Sequence, residues 1–196
     1  MLYETEVVPE VLTQFRAPGA EPMALVVFLK GINVGGHRRL RPSAVANHLR
    51  RFGVVSIGAT GTFVVRKPVS RARIRAEISA RLAFETEAAI CTGKEILLLL
   101  ENDPFRYRRP ERNLIPFVGI MARRRQFPAT LPLKLPADGD WCVKVLRCEG
   151  RFVLGLHYRR MKAIALLGQL EKMLGLPITF RSWSTMVKVG QALRSS

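Results

Sequence analysis

The apolar positions of this chain change period every few residues, and the changes trace strands and helices in a recurring order. Residues 24–29 (ALVVFL) are a nearly unbroken apolar run, the pattern of a short strand buried on both faces. Residues 31–40 follow as a loop rich in turn formers. Pro42 suits the first turn of a helix whose Val45, Leu49 and Phe52 share one face and whose stop is Gly53. Residues 54–57 and 62–66 read as strands about the Gly58-Ala59-Thr60-Gly61 turn. Over 70–84, Ile74, Ile78 and Leu82 recur at helical spacing, and Arg71, Arg73, Arg75 and Arg81 fall on the solvated side. Residues 88–91 make a fourth strand, and 94–102 a third helix that Asp103-Pro104 stops.

That order, βαββαβ with a trailing helix, then recurs. Residues 115–121 (IPFVGIM) are a strand, and 122–140 a long segment carrying Pro128, Pro132 and Pro136. Residues 141–147 and 152–157 form a hairpin about Glu149-Gly150. A helix over 161–174 has Ile164, Leu167, Leu170 and Leu174 as its apolar positions. After a strand at 177–181, a last helix spans 184–193, with Ser184 as N-cap and Met186, Val189 and Leu193 inward. The matching order of elements, more than residue identity, argues for a duplication. The expected fold class is α+β: two ferredoxin-like βαββαβ lobes, residues 23–112 and 113–196, each followed by an extra helix. Residues 1–22, ending near an Ala-Pro-Gly-Ala linker, read as an N-terminal extension.

Composition sets broad limits. With 196 residues, 48% hydrophobic and 24% charged, the chain can build one sizeable core or two small lobes. No apolar run approaches the roughly 20 residues that cross a bilayer, so no membrane partner is expected. The opening MLYETEVVPEVLTQF lacks the basic and apolar regions of a secretory signal. Cys91, Cys142 and Cys148 have no metal-ligand spacing, which fits a reduced cytoplasmic setting with neither metal nor cofactor. The formal charge of +17 stands apart. Such a field would attract nucleic acid or a phosphorylated small molecule. Because the cations are spread along the chain rather than gathered in a tail, an arginine-rich solvated surface is the favoured account of it.

Three stretches hold candidate chemistry. In Leu29–Arg39 (LKGINVGGHRR), Gly35 and Gly36 would let successive N–H groups converge on an anion, with Lys30, Asn33 and Arg38 adding polar and positive groups. Neither GxxxxGK[ST] nor GxGxxG is present, so a structural turn is the competing reading. In Ala59–Val65, Thr60 and Thr62 flank a turn that a ferredoxin-like topology places beside the first loop. Their hydroxyls could line a pocket or satisfy their own backbone. In Thr179–Val189, Arg181 lies beside a helix N-terminus, where it could hold an anion with free N–H groups or pair with an acid from the other lobe. Trp183 reads as a core or lobe-interface anchor.

Together LKGINVGG, TGTFVV, Asn102-Asp103-Pro104-Phe105 and the closing TFRSWSTMVK resemble the bacterial domain-of-unknown-function family 1697, in order from about Met23 to Leu193. Lys30 stands where that family usually has arginine, Thr60-Gly61-Thr62 where it reads SGN, and Ser182 and Ser184 where it has two asparagines. The resemblance implies a two-lobed α+β fold and carries no established activity, substrate or cofactor.

The sequence has no HExxH, GxSxG or CxxC. His48, beside an apolar helix face, reads as a partly buried core residue, and Cys142 and Cys148 across a hairpin offer poor zinc geometry. The third strand of the first lobe has one aromatic, Phe63, where base stacking needs two or three. Three functions stay open: binding a polyanion or phosphorylated ligand through the basic glycine loop, catalysis on a small anionic metabolite between the lobes, or a protein–protein module. Nothing in the sequence sets the oligomeric state.

Overall fold

A Leu-Val-Val-Phe-Leu run with no polar side chain is stable only where both faces of a strand are covered. In the computed structural model, which describes residues 24–33, 39–106 and 113–195, this run is β1 (Leu25–Leu29), and all five residues are buried. α1 (Pro42–His48) starts on its proline and continues as a 3₁₀ turn, Arg50–Phe52, that ends on Gly53 in the left-handed region. β2 (Val54–Ile57), β3 (Thr62–Val65), α2 (Arg71–Ser79), β4 (Ala88–Thr92) and α3 (Gly93–Glu101) complete the first half. The second contains β5 (Leu114–Met121), β6 (Leu133–Leu135), β7 (Val143–Glu149), β8 (Phe152–Tyr158), α4 (Met161–Leu174), β9 (Ile178–Ser182) and α5 (Trp183–Arg194).

The result is a mixed α+β fold with two antiparallel sheets and five helices among the described residues. The first sheet has the order β2-β3-β1-β4 and the second β6-β7-β8-β5-β9. In each, the first strand lies between a hairpin strand and the strand that closes the half.

Strand alternation divides the apolar residues among three clusters. Leu25, Val27 and Leu29 turn outward to Val45 and Leu49 of α1 and to Ile74 and Ile78 of α2. Val26 and Phe28 turn to a cluster shared by both sheets, with Val118, Ile120 and Leu154 of the second sheet, Ile96 of α3, and Met186 and Val189 of α5. The third cluster joins Phe117, Val143 and Val153 to Leu166, Leu170 and Leu174 of α4. α3 and α5 pack closely, so that a Cβ on Gly190 would collide with Leu100.

Several expected details change. α2 ends at Ser79, five residues before the periodicity does, and leaves Leu82 half-buried. The proline-bearing segment contains β6, an added edge strand, where the first half has α1. One helix, α4, therefore packs on the outer side of the second sheet where two were expected. Ile164 is 58% exposed, because Ala163, Leu166, Leu170 and Leu174 take the inward face of α4. His48 is exposed, its Nδ1 2.7 Å from the Ala44 carbonyl oxygen of the preceding turn. α5 begins at Trp183, one residue earlier than the pattern indicates. Its N-cap is Ser182, whose hydroxyl accepts from the Thr185 N–H at 3.3 Å, and Ser184 lies inside the first turn.

Candidate functional site

Because β1 and β2 run the same way, the chain leaving β1 and the β2–β3 turn meet at one end of the first sheet. Asn33, at φ 55°, sits at this meeting point. Its amide donates to the Ala59 carbonyl at 2.6 Å and to the Leu40 carbonyl at 2.9 Å, and its side-chain oxygen accepts from the Leu40 N–H. One side chain thus ties the start and finish of the glycine-containing loop to the β2–β3 turn. Gly61 allows the close approach. At φ 70° it occupies a region costly for other residues, and a Cβ there would lie 2.8 Å from Ile32.

Arg181 reaches the same place from β9. Its Nε donates to the buried Thr62 hydroxyl at 2.8 Å. Its Nη2 donates to the carbonyls of Leu29 and Thr60 at 2.7 and 2.6 Å, and its Nη1 to its neighbour Phe180. The guanidinium is 7% exposed and lies 5.9 Å from the Phe28 ring centre. Burial alone lowers its pKa to about 10, so it stays charged at neutral pH. The acidic partner considered as an alternative is replaced by carbonyl oxygens. Among the described residues Arg181 has no carboxylate within salt-bridge distance.

A second arginine crosses the seam elsewhere. Arg151, just after the β7–β8 turn, donates to Met121 and Ala122 of its own half and to Ile90 of β4, at 2.7–2.8 Å. Glu95 of α3 approaches it at 3.8 Å. No signal in the linear sequence marked Arg151; an arginine following a Glu-Gly turn looks like a surface residue until the two halves close on it.

Lys30 points elsewhere. Its ammonium is held by Glu171 of α4 at 2.7 Å and by Glu87 at 3.3 Å. Burial works against its charge, but the hydrogen bond and attraction of Glu171, and then of Glu87, outweigh that and raise its pKa. It borders an open cavity of about 910 Å³ whose lining includes Ser79, Phe84, Glu85, Thr86 and Glu87. An anion entering that cavity meets two exposed carboxylates and an ammonium already paired.

The structure thus brings Asn33, Thr60, Thr62 and Arg181 into one hydrogen-bonded group, with Thr60 taking part through its carbonyl, and turns Lys30 away from it. Gly35, Gly36 and Arg38 lie outside the described residues. Among the described residues there is no cluster of three or more His, Cys, Asp or Glu arranged to hold a metal. None of the helices there is long and apolar enough to cross a membrane.

The outer helical layer of the first half carries exposed cations with few carboxylates to meet them. Between residues 22 and 84 the chain has twelve Lys or Arg and one carboxylate, Glu77. Glu77 is 9% exposed and already has three partners: Arg51 at 2.6 Å, Arg73 at 2.8 Å and Arg81 at 3.0 Å. Burial opposes its ionisation, yet the three arginines prevail and hold its carboxyl below the usual range. In the same half Arg41, Arg50, Arg71 and Arg75 are exposed, and of these Arg71 alone has a carboxylate in range among the described residues, Glu95 of α3 at 3.7 Å.

The family model described as "Protein of unknown function (DUF1697)" matches residues 23–126. The chain belongs to that family. Its fold is similar to that of the conserved bacterial protein SP0830 from Streptococcus pneumoniae, at TM-score 0.55 and 17% identity, over 87% of this chain and 98% of the other. No curated protein matches the chain.

Proposed function

We propose that this member of the DUF1697 family binds nucleic acid through the basic outer layer of its first half. The observation that carries this reading is the surplus of exposed arginine at Arg41 just before α1, on the 3₁₀ turn and on α2, where the lone carboxylate is already saturated by three guanidiniums. A surface of that kind attracts phosphates and releases counterions on contact. Arg39 and Arg41, where the glycine-containing loop rejoins α1, continue the same surface. In this reading Arg181 and Asn33 hold the architecture behind the surface. Two ferredoxin-like lobes, one keeping both outer helices and the other exchanging its first for β6, account for the shared strand order.

Fluorescence anisotropy of labelled nucleic acid tests the reading. For about four phosphate contacts, affinity should fall roughly a hundredfold between 50 and 200 mM salt. Binding that is absent at 50 mM salt, or that ignores salt, would overturn it.

A further inference from the structure

We infer that the nucleic acid this surface recognises is a duplex read through its phosphates, rather than a single strand read through its bases; the inference rests on the nucleic-acid reading above. Ferredoxin-like sheets that bind single strands do so by stacking bases on aromatic side chains of an open sheet face. Here neither face of the first sheet is open. One is covered by α1 and α2, and the other by the second sheet with α3 and α5. Phe28 and Phe63, its aromatic residues, have no exposed surface. Every aromatic side chain among the described residues is buried or half-buried, and Phe52, next to the basic surface, has the Arg51 guanidinium over its ring at 4.8 Å.

What the surface presents instead is charge on a fixed frame. Arg71 and Arg75 are one helical turn apart, about 6 Å along α2, with only the small Ala72 and Ala76 exposed between Arg71, Arg73 and Arg75. Arg51 and Arg73 meet on Glu77, which holds the 3₁₀ turn against α2 and fixes the two rows of cations relative to each other. Rigid rows of cations suit the regular phosphate array of a duplex, whose charge density also exceeds that of a single strand. With no exposed stacking ring among the described residues of this face, such contact reads backbone and not sequence.

The experiment compares a 20-base-pair DNA duplex, a duplex of shuffled sequence and each separated strand by anisotropy, using the full chain and the triple variant Arg41→Gln, Arg50→Gln, Arg75→Gln. These side chains are exposed and have no ion pair among the described residues, so the thermal midpoint should hold. The expected result is duplex binding at least about tenfold tighter than either strand, and within about threefold for the shuffled duplex. The triple variant should lower the log–log salt slope by roughly two to three, as expected when three phosphate contacts go. Single strands bound as tightly as the duplex would overturn the inference and leave the nucleic-acid reading standing. No salt-sensitive binding to any probe would remove that reading itself. An unchanged slope in a folded triple variant would place the contact on another surface and overturn the inference too.

Discussion

Two arginines of the second half reach into the first and do similar work with different reach, while Arg66 of the first half donates the other way, to the Ala192 carbonyl at 3.1 Å. Arg181, on the strand before α5, makes three of its four short hydrogen bonds to the other half, at Leu29, Thr60 and Thr62. Arg151, beside the β7–β8 turn, makes one such crossing bond, to Ile90, and two within its own half. Both come from the second half, and both satisfy backbone carbonyls that a neutral apolar side chain would leave without donors. At the position of β4 that corresponds to Arg181, just before the N-cap Thr92, the first half has Cys91. It is buried, and desolvation pushes its thiol up to about 12. A planar guanidinium with five N–H donors can serve several carbonyl oxygens at once, which neither a thiol nor an ammonium can. The comparison teaches that carbonyls at the rim of the first sheet are served by guanidiniums from the second half, where the first half has a thiol.

The difference can be broken most sharply at Arg181. Arg181→Ala strands two carbonyls and one buried hydroxyl, each an unmet group worth about 1–3 kcal/mol, partly offset by no longer burying a charge. A net loss of about 3 kcal/mol is expected in urea unfolding of the full chain. Faster hydrogen exchange at the end of β1 should accompany it. Arg181→Lys should recover little, since one ammonium lacks the fork that reaches all three partners. A loss below about 1 kcal/mol would show that the guanidinium is not what holds this seam.

Arg151→Ala should cost less, about 2 kcal/mol, with the exchange increase centred on residues 121–125 and no comparable effect at β1. Equal losses and the same exchange pattern in both variants would remove the asymmetry argued here.

The smallest expected contrast lies in the two helix caps beside the seam. Thr92 forms a reciprocal capping box with Glu95, while Ser182 accepts one backbone bond, from Thr185 at a long 3.3 Å, and shares hydroxyl contacts with Ser184 and Thr185. Thr92→Ala should cost about 1.5 kcal/mol and Ser182→Ala about 1 kcal/mol or less in thermal unfolding. A larger loss at Ser182 would reverse the ranking.

Much of this architecture was legible in the residues. The Leu25–Leu29 run announced a doubly covered strand, and Gly53, Gly61 and Gly150 marked real turns, each at positive φ. Strand order then placed Asn33 near the β2–β3 turn, and the Asn33–Ala59 hydrogen bond bears that out. Legibility ended where partners are distant in the chain. Lys30 pairs with Glu171 across 141 positions, and Arg181 with Thr62 across 119. β6 escaped notice because three apolar or basic residues among prolines carry too little period to separate a strand from a loop.

Hydrophobic period and turn residues therefore determined, on their own, where the strands other than β6 run, roughly where the helices lie, and that β1 is covered on both faces. Those signals act within a few residues and survive in a linear reading. Only the tertiary structure decided which cations are tied up and which stand free, because that depends on the carboxylates and carbonyls each one meets after folding. It drew Lys30 and Arg181 into internal contacts, and it left Arg41, Arg50 and Arg75 facing outward beside one saturated glutamate.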